Sequence, residues 1–193
     1  MGREQRFIAA DMEPYRLPLT VRDFLILDEA GAFDKVGKVE LIEGELYTMA
    51  PLHHPHARAQ MMLGTAVDLA VEQLGGEWQA LAPMSAELEE TSLPEADIIV
   101  AYAPGDRFVT PETVRLLIEV ASTSLGRDLG KKLRLYARTG VPEYWVADVN
   151  GREIIRFHAP SGESYTQRAT FAFGEAVPSA TIPGLTVDTA RLR

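Results

Sequence analysis

The sequence predicts an α/β fold of the α+β type, with helices flanking a central mixed β-sheet. Short apolar runs of strand length alternate with longer segments of helical periodicity. Hydrophobic residues make up 46% of the chain and charged residues 24%, which is the composition of a globular protein. The 193 residues suffice to bury one core. We therefore expect a single domain over 1–193, with a lead-in at 1–19 and a C-terminal tail at 176–193.

The first half is predicted to form a helix, a β-hairpin and a second helix. Thr20 is a typical helix N-cap, and Asp23 in the first turn favours the same start. Gly75 and Gly76 provide the end of the second helix. The expected elements are a helix to about residue 30, hairpin strands at 39–42 and 46–50, a loop at 51–55 and a helix at 56–74.

Strands dominate the second half. The dipeptide Asn150-Gly151 is a strong signal for a two-residue hairpin turn, and Gly140 followed by Pro142 ends a helix. The expected elements are strands at 77–81, 86–89, 97–103, 115–121, 144–149, 153–158 and 165–170, a helix at 127–139, and a tail that is irregular or forms short edge strands.

Composition and motifs exclude several functional classes. The chain has no Cys, which excludes disulfides, thiolate metal sites and a Cys nucleophile. It also lacks the glycine-rich phosphate loops, the nucleophile elbow and the zinc-protease motif. No apolar run approaches the roughly 20 residues of a membrane span, so we expect a cytoplasmic protein without a membrane partner.

The charge is strongly uneven along the chain. The net charge is −9, which argues against non-specific binding of nucleic acid through a basic surface. Residues 1–97 carry 7 basic and 18 acidic side chains, whereas residues 98–193 carry 12 and 10. One compact basic segment stands out, and we expect it to contribute to a phosphate-facing surface. Its members are Arg127, Lys131, Lys132, Arg134 and Arg138.

Two acidic residues stand in apolar strands. Every neighbour of Glu119 within 116–121 is apolar, which is typical of a strand covered on both faces. A carboxylate buried there must be paired, protonated or bound to a metal. Asp97 opens the preceding apolar strand. Carboxylates on adjacent strands lie roughly 5 Å apart and can hold one hard divalent cation, so Asp97 and Glu119 are the predicted metal ligands.

The basic segment supplies one lysine that can reach these acids. On a helical wheel, the residues at 125, 129, 133 and 136 form the stripe that faces the sheet. Lys132 lies at the edge of this stripe, so its ammonium is expected to emerge beside the sheet. Lys131, Arg134 and Arg138 lie on the opposite side and are expected to be solvated. Two acids and a lysine around Mg²⁺ or Mn²⁺ form an arrangement suited to phosphodiester hydrolysis, in which the lysine stabilises the transition state.

Several of these residues belong to motifs that resemble a known family. The stretch Leu93-Pro94-Glu95-Ala96-Asp97-Ile98-Ile99-Val100, the strand around Glu119 and the run Tyr136-Ala137-Arg138-Thr139-Gly140-Val141-Pro142-Glu143-Tyr144-Trp145 are similar to the Uma family, restriction-endonuclease-like proteins of the PD-(D/E)XK nuclease superfamily. The resemblance covers about residues 20–160. It implies a restriction-endonuclease-like core, Mg²⁺ or Mn²⁺, and hydrolysis of DNA.

The resemblance also assigns roles by position. Asp97 takes the place of the motif aspartate, Glu119 that of the second acid, and Lys132 that of the lysine. In this superfamily the lysine usually follows the second acid by two residues, where this chain has Ala121, so the lysine is expected to come from the helix instead. Glu40 and His56 match the N-terminal signature and are accessory candidates, Glu40 for the metal and His56 for substrate contact or for orienting an acid.

Three functions are compatible with these residues. The first is a metal-dependent endonuclease that acts on DNA, with a homodimer as one arrangement. The second is a catalytically inactive nuclease fold that serves as a DNA-binding or protein-interaction module, in which the acids only form an ion-paired cluster with Lys132. The third is a metal-dependent hydrolase of small phosphates, which requires a closed pocket instead of a groove.

Overall fold

A computed structural model describes residues 16–49, 51, 53–105 and 107–192. The predicted lead-in therefore lies mostly outside the described residues. The helices are α1 (Val21–Glu29), α2 (His54–Glu72), α3 (Leu125–Arg127), a π-helical turn (Asp128–Lys132), α4 (Leu133–Arg138) and a final 3₁₀ turn (Ala190–Leu192). The strands are β1 (Val39–Ile42), β2 (Glu45–Thr48), β3 (Trp78–Leu81), β4 (Met84–Ser85), β5 (Glu95–Ala96), β6 (Ile98–Tyr102), β7 (Val114–Ala121), β8 (Glu143–Asp148), β9 (Glu153–Ser161), β10 (Ser164–Ala172), β11 (Ala176–Pro178) and β12 (Thr186–Asp188).

The predicted mixed sheet is confirmed. Six strands pair in the order β10-β9-β8-β7-β6-β3. Only β7 and β8 run parallel, and the other four pairings are antiparallel. A parallel pair needs a crossover connection, and α3, the π turn and α4 provide it. The basic segment predicted from the sequence is therefore this crossover, which follows directly from the end of β7.

Both faces of the sheet are covered, as the apolar run around Glu119 predicts. On one face, Ile118 and Val120 of β7 pack against α2 and the C-terminal hairpin β11–β12. On the other face, Leu117 and Ala121 pack against the crossover helix. Seven of the eight residues of β7 are buried. Glu119 lies on the second face, so it is a carboxylate inside an apolar layer.

The N-terminal elements form where the sequence predicts them. The side chains and backbones of Thr20 and Asp23 bond reciprocally, which caps α1. The hairpin β1–β2 turns through Glu43 and Gly44, both in the left-handed region with φ of 54° and 74°. Gly44 is required there, because an added Cβ would lie 2.3 Å from the Cβ of Pro18.

Three expected boundaries are wrong. Residues 86–89 do not form a strand, and Ala86 and Glu89 make only isolated bridges, to Val109 and Ser92. The chain turns back here through a hydrogen bond of 3.1 Å from the amide of Ser92 to the carbonyl oxygen of Glu89. Asp97 does not open β6 but stands between β5 and β6. The expected helix at 127–139 begins earlier, at Leu125, and contains the π turn.

The C-terminal tail belongs to the core. Val177 and Val187 of the short hairpin β11–β12 are fully buried beside α2. Glu143, at the start of β8, holds the segment after β11 in place. Its carboxylate accepts hydrogen bonds from Trp145 Nε1 at 2.7 Å, Ser179 Oγ at 2.6 Å and Thr181 Oγ1 at 2.8 Å, and from the backbone amides of residues 180 and 181. The tail is therefore one wall of the core and not a loose end.

Candidate active site

The sheet brings the two predicted metal ligands together. Ile98 of β6 stands opposite Ile118 of β7, so the next antiparallel position places Asp97 opposite Glu119. Directly opposed residues have Cβ atoms about 5 Å apart. Asp97 Oδ2 also accepts a hydrogen bond from the backbone amide of Val120 at 2.7 Å, which fixes the carboxylate beside β7. The two acids are therefore neighbours on the face that the crossover helix covers.

The structure brings Lys132 to Glu119, and its ammonium is completely enclosed. Lys132 Nζ lies 3.0 Å from Glu119 Oε1, 3.1 Å from Glu40 Oε2 and 3.0 Å from the carbonyl oxygen of Glu95. Its side chain is 0% exposed. The expectation that this ammonium emerges beside the sheet is wrong, because the acids draw it into the layer between sheet and helix.

The π turn explains why the helical wheel failed here. A π turn closes i→i+5 hydrogen bonds and so inserts one extra residue into an α-helix. Beyond the turn, the buried face is shifted relative to an unbroken wheel. Leu135 and Tyr136 are fully buried together with Lys132, whereas Leu129 and Leu133 of the expected stripe are only partly buried.

Most of the basic segment is neutralised by acids, which corrects the expectation of a phosphate-facing helix. Lys131 Nζ lies 3.3 Å from Glu43 and 3.2 Å from Glu45. Arg138 pairs with Glu43 at 2.6 Å and with Glu89 at 2.7 Å. Lys131 and Arg138 are therefore half-buried structural cations and not solvated ones. They join the crossover helix to the N-terminal hairpin and to the loop before β5.

Burial perturbs the protonation of the acids. Desolvation raises the pKa of Glu119 to about 8. The ammonium of Lys132 opposes this shift, and the nearby charges of Asp128, Asp97 and Glu40 add to it. Desolvation also raises the pKa of Asp97, because its hydrogen bond from Val120 and the charges of His56 and Lys132 compensate only in part. The apolar layer thus holds two carboxyl groups whose ionisation is unfavourable without additional positive charge.

The two acids open onto one pocket, the acidic pocket, at the end of β7. Its cavity volume is about 80 Å³, several times the roughly 10–15 Å³ that one water molecule needs. The side chains around the two acids come from the start of α2 and from the turn after β7. They are His53, His56, Ser122, Thr123, Ser124 and Arg127. A second cavity of about 480 Å³ shares Met49, Pro51 and Asp97 with it and extends the cleft towards Gln60 and Pro83.

The accessory candidates occupy different places. His56 lines the acidic pocket, and its Nε2 lies 3.8 Å from Asp97 Oδ2. Glu40 does not line it. Instead Glu40 is 1% exposed, and its two oxygens lie 3.1 Å from Arg127 and from Lys132. Glu40 therefore holds two cations of the crossover helix.

The donor set suits a hard divalent cation. In the described part of the chain, Asp97 has no Lys or Arg within 4.0 Å, and the basic side chain at that distance is His56. Carboxylate oxygens that face a water-sized cavity are the ligands that Mg²⁺ and Mn²⁺ prefer. Within the described ranges, no group of three or more His, Asp or Glu side chains could hold a metal ion. A cation here would therefore complete its coordination with water and substrate.

Sequence reasoning missed two contributors to this site. Tyr136 OH donates a hydrogen bond to Glu119 Oε1 at 2.7 Å, and the Tyr136 side chain is completely buried. A polar aromatic residue within a buried helical stripe was the available signal. The carbonyl oxygen of Glu95 accepts from Lys132, and no side-chain pattern could have indicated a backbone partner.

Comparison with known proteins decides the family. Residues 21–190 match the Uma2 family model, which is described as "Putative restriction endonuclease". The chain belongs to the Uma2 family. The resemblance of its motifs to this family is thereby confirmed. No curated protein matches this Uma2 chain significantly.

A solved structure supports the fold. It is that of a "putative nuclease belonging to DUF820" from Anabaena variabilis ATCC 29413, which is 17% identical to this Uma2 protein with a TM-score of 0.68. The match covers 91% of this chain and 97% of the other. At this level of identity the likeness concerns the fold alone, and it confirms the expected mixed sheet with flanking helices. None of the helices in the described ranges of the Uma2 chain combines the length and apolar character that a bilayer crossing requires.

Proposed function

We propose that this Uma2 protein is a divalent-metal-dependent endonuclease that hydrolyses phosphodiester bonds of DNA. The observation that carries the proposal is the pair Asp97 and Glu119, two largely desolvated carboxyl groups side by side on one pocket. A purely structural ion-paired cluster would engage both acids, yet only Glu119 contacts Lys132 while Asp97 stays open to the cavity. A cytoplasmic location follows from DNA as the substrate.

Each residue of the site then has a defined task. Asp97 and Glu119 would hold Mg²⁺ or Mn²⁺, which when bound polarises the phosphate and lowers the pKa of a coordinated water. Lys132 is a positioning residue, because its enclosed ammonium can hold the Glu119 carboxylate but cannot touch the substrate. Glu40 supports Lys132 from the opposite side.

Two further side chains of the pocket can face the substrate. Arg127 lines the acidic pocket, and Glu40 holds its guanidinium at 3.1 Å. An arginine oriented in this way can donate to a non-bridging phosphate oxygen. His56 is placed to orient Asp97 or to contact the substrate. The adjoining 480 Å³ cavity extends the cleft beyond the size of a single phosphate, which favours a polymer over a small phosphate ester as the substrate.

Calorimetric titration with Mn²⁺ tests the site without a choice of DNA sequence. The wild-type protein is expected to bind one or two ions, and Asp97→Ala and Glu119→Ala are expected to lose this binding because each removes a ligand. Asp68→Ala is the matched control, because Asp68 is an exposed carboxylate on α2. Equal binding by all four folded proteins would contradict the assignment. Cleavage of plasmid and of linear DNA in Mn²⁺ then tests the activity.

Metal binding is expected to depend on pH. Glu119 has a pKa of about 8, above its ordinary value of 4.5, so it must lose a proton to bind a cation. The Mn²⁺ association constant should therefore rise up to about tenfold per pH unit towards pH 8 and level off above it. The stability of the metal-free protein changes with pH in the opposite direction. Because the pKa of Glu119 is higher in the folded protein than in the unfolded chain, its contribution to the free energy of unfolding is complete below about pH 4.5. This contribution is lost as the pH rises from about 4.5 to 8. Mn²⁺ affinity that does not change between pH 6 and 8 would contradict the prediction.

A further inference from the structure

Three exposed arginines surround a second pocket, the arginine pocket, on the other side of α2. Arg58, Arg152 and Arg191 line a cavity of about 170 Å³ whose floor is apolar, with Met62 and Phe173 among its residues. No acidic side chain lines it. Each arginine is exposed, and none of the three side chains forms an ion pair or hydrogen bond within residues 16–49, 51, 53–105 and 107–192. This concentration of unpaired positive charge is unexpected on a protein with a net charge of −9.

The fold holds these arginines on three ordered elements. Arg58 stands in the second turn of α2. Arg152 belongs to the turn between β8 and β9, where its φ of 57° fixes the bend. Arg191 lies in the final 3₁₀ turn, which the buried Leu192 attaches to the core beside α2. The three guanidinium groups therefore converge because of the tertiary fold, although they are far apart in the sequence.

The arginine pocket adjoins the acidic pocket through two connections. The first is the start of α2, where His56 lines the acidic pocket and Arg58 the arginine pocket. Two residues differ by about 200° around a helix, so the pockets flank opposite sides of α2. The second is Asn150, in the same turn as Arg152, whose Nδ2 donates to the carbonyl oxygen of Ser122 at 2.6 Å. Ser122 lines the acidic pocket.

We propose that the arginine pocket binds a backbone phosphate of the DNA substrate, away from the bond that is cleaved. Guanidinium groups bind phosphate oxygens in a bidentate manner. A helix with its side chains is about 10–12 Å wide. At a rise of 3.4 Å per nucleotide, the bound phosphate lies about three nucleotides from the acidic pocket. The inference rests on the proposed function, because it takes the same DNA as its ligand.

A protein with a net charge of −9 needs a local positive surface to bind a polyanion such as DNA. The crossover helix cannot supply most of the positive charge, since acids neutralise four of its five cationic side chains. The arginine pocket retains its charge and lies beside the acidic pocket. A strand of DNA that crosses the start of α2 would contact both pockets at once.

DNA binding without metal tests the inference separately from catalysis. We would measure fluorescence anisotropy of a labelled 20-base-pair duplex in EDTA, with the wild-type protein and the triple variant Arg58→Gln, Arg152→Gln, Arg191→Gln. The triple variant is expected to bind at least about tenfold more weakly. The slope of log K against log salt should fall in magnitude by about 1 for each phosphate contact that is lost. Single variants show which arginine matters most.

The control keeps the charge change but moves it to another surface. Arg168→Gln removes one exposed positive charge from β10, so it is compared with each single variant. We expect a change of less than about twofold for this control. All variants replace exposed side chains, and thermal unfolding by circular dichroism verifies that they fold.

Several outcomes would overturn the inference. A loss of affinity for Arg168→Gln equal to that of each single pocket variant would show that only net charge matters, and this overturns the phosphate site. Unchanged affinity of the triple variant overturns the phosphate site while the proposed endonuclease stands, since Mn²⁺ binding and cleavage are measured apart. Wild-type protein that binds no duplex at low salt overturns it as well. Inorganic phosphate that binds the wild-type protein but not the triple variant, with unchanged duplex affinity, would assign the pocket to a small anion.

Discussion

Asp97→Asn is expected to abolish DNA cleavage while leaving the protein at least as stable as the wild type. The substitution removes the charge that holds the cation, and the loss of several kcal/mol of transition-state stabilisation corresponds to about a thousandfold in rate. Stability is retained because burial already raises the pKa of Asp97, so the neutral amide removes an unfavourable charge. The Asn side-chain oxygen can still accept the amide of Val120. The measurements are the cleavage rate in saturating Mn²⁺ and unfolding in urea at pH 7.

The combination of these two results identifies the residue's role. Asp68→Asn, the matched control on the exposed face of α2, should change neither property. A variant that cleaves at the wild-type rate would contradict the proposed function. A variant that loses activity because it unfolds would instead assign Asp97 to the structure.

Lys132→Met is expected to destabilise the fold by about 3–5 kcal/mol. Removal of one partner from a buried ion pair leaves the other charge uncompensated. Here two acids lose their partner, since Lys132 lies within 3.1 Å of both Glu119 and Glu40. The Met side chain fills a volume similar to that of the enclosed Lys132 stem. The loss of stability therefore comes from the missing charge and not from a cavity. Urea unfolding at pH 9 measures it, because Glu119 of the wild type, with a pKa of about 8, is ionised there.

The neighbouring lysine is the control for this prediction. Lys131→Met removes a cation whose ion pairs with Glu43 and Glu45 are partly exposed, and such pairs contribute about 0–1 kcal/mol. The double variant Lys132→Met, Glu119→Gln should recover part of the loss, because one unpaired carboxylate is removed. Equal destabilisation by the two single lysine variants would show that burial does not distinguish them.

The sequence predicted the sheet and the neighbouring positions of the two acids, because both follow from local patterns, whereas the metal-binding role of these acids stays a prediction. The apolar run around Glu119 required a strand covered on two faces, and an acid in that setting required a special role. The structure places Lys132, and not Lys131, against these acids, with its Nζ 3.0 Å from Glu119 Oε1. Two predictions were wrong: that the Lys132 ammonium emerges beside the sheet, and which residues of the helix face the sheet. A wheel assumes a regular helix, and the π turn between 128 and 132 breaks that assumption.

Long-range partners could not be predicted for a related reason. Nothing in the sequence near Lys131 or Arg138 indicates that Glu43 and Glu89 would neutralise them, since these acids lie in the N-terminal half. The arginine pocket was missed because its three members are separated by long stretches of chain. Glu143 belonged to a recognised motif, yet its bonds to the tail became visible only in three dimensions.

The number of residues in the π turn determines where the charged side chains of the crossover helix lie. The single additional residue turns Lys132 inward to the acids and leaves Lys131 at the hairpin. Loss of one residue from this turn would restore an α-helix and rotate every later side chain by about 100° relative to the sheet. The substitution of individual residues is therefore a milder change here than a one-codon deletion, which would misplace Tyr136 and Arg138 together. A change in the length of the crossover helix therefore disturbs several contacts at once, whereas a substitution disturbs those of one side chain.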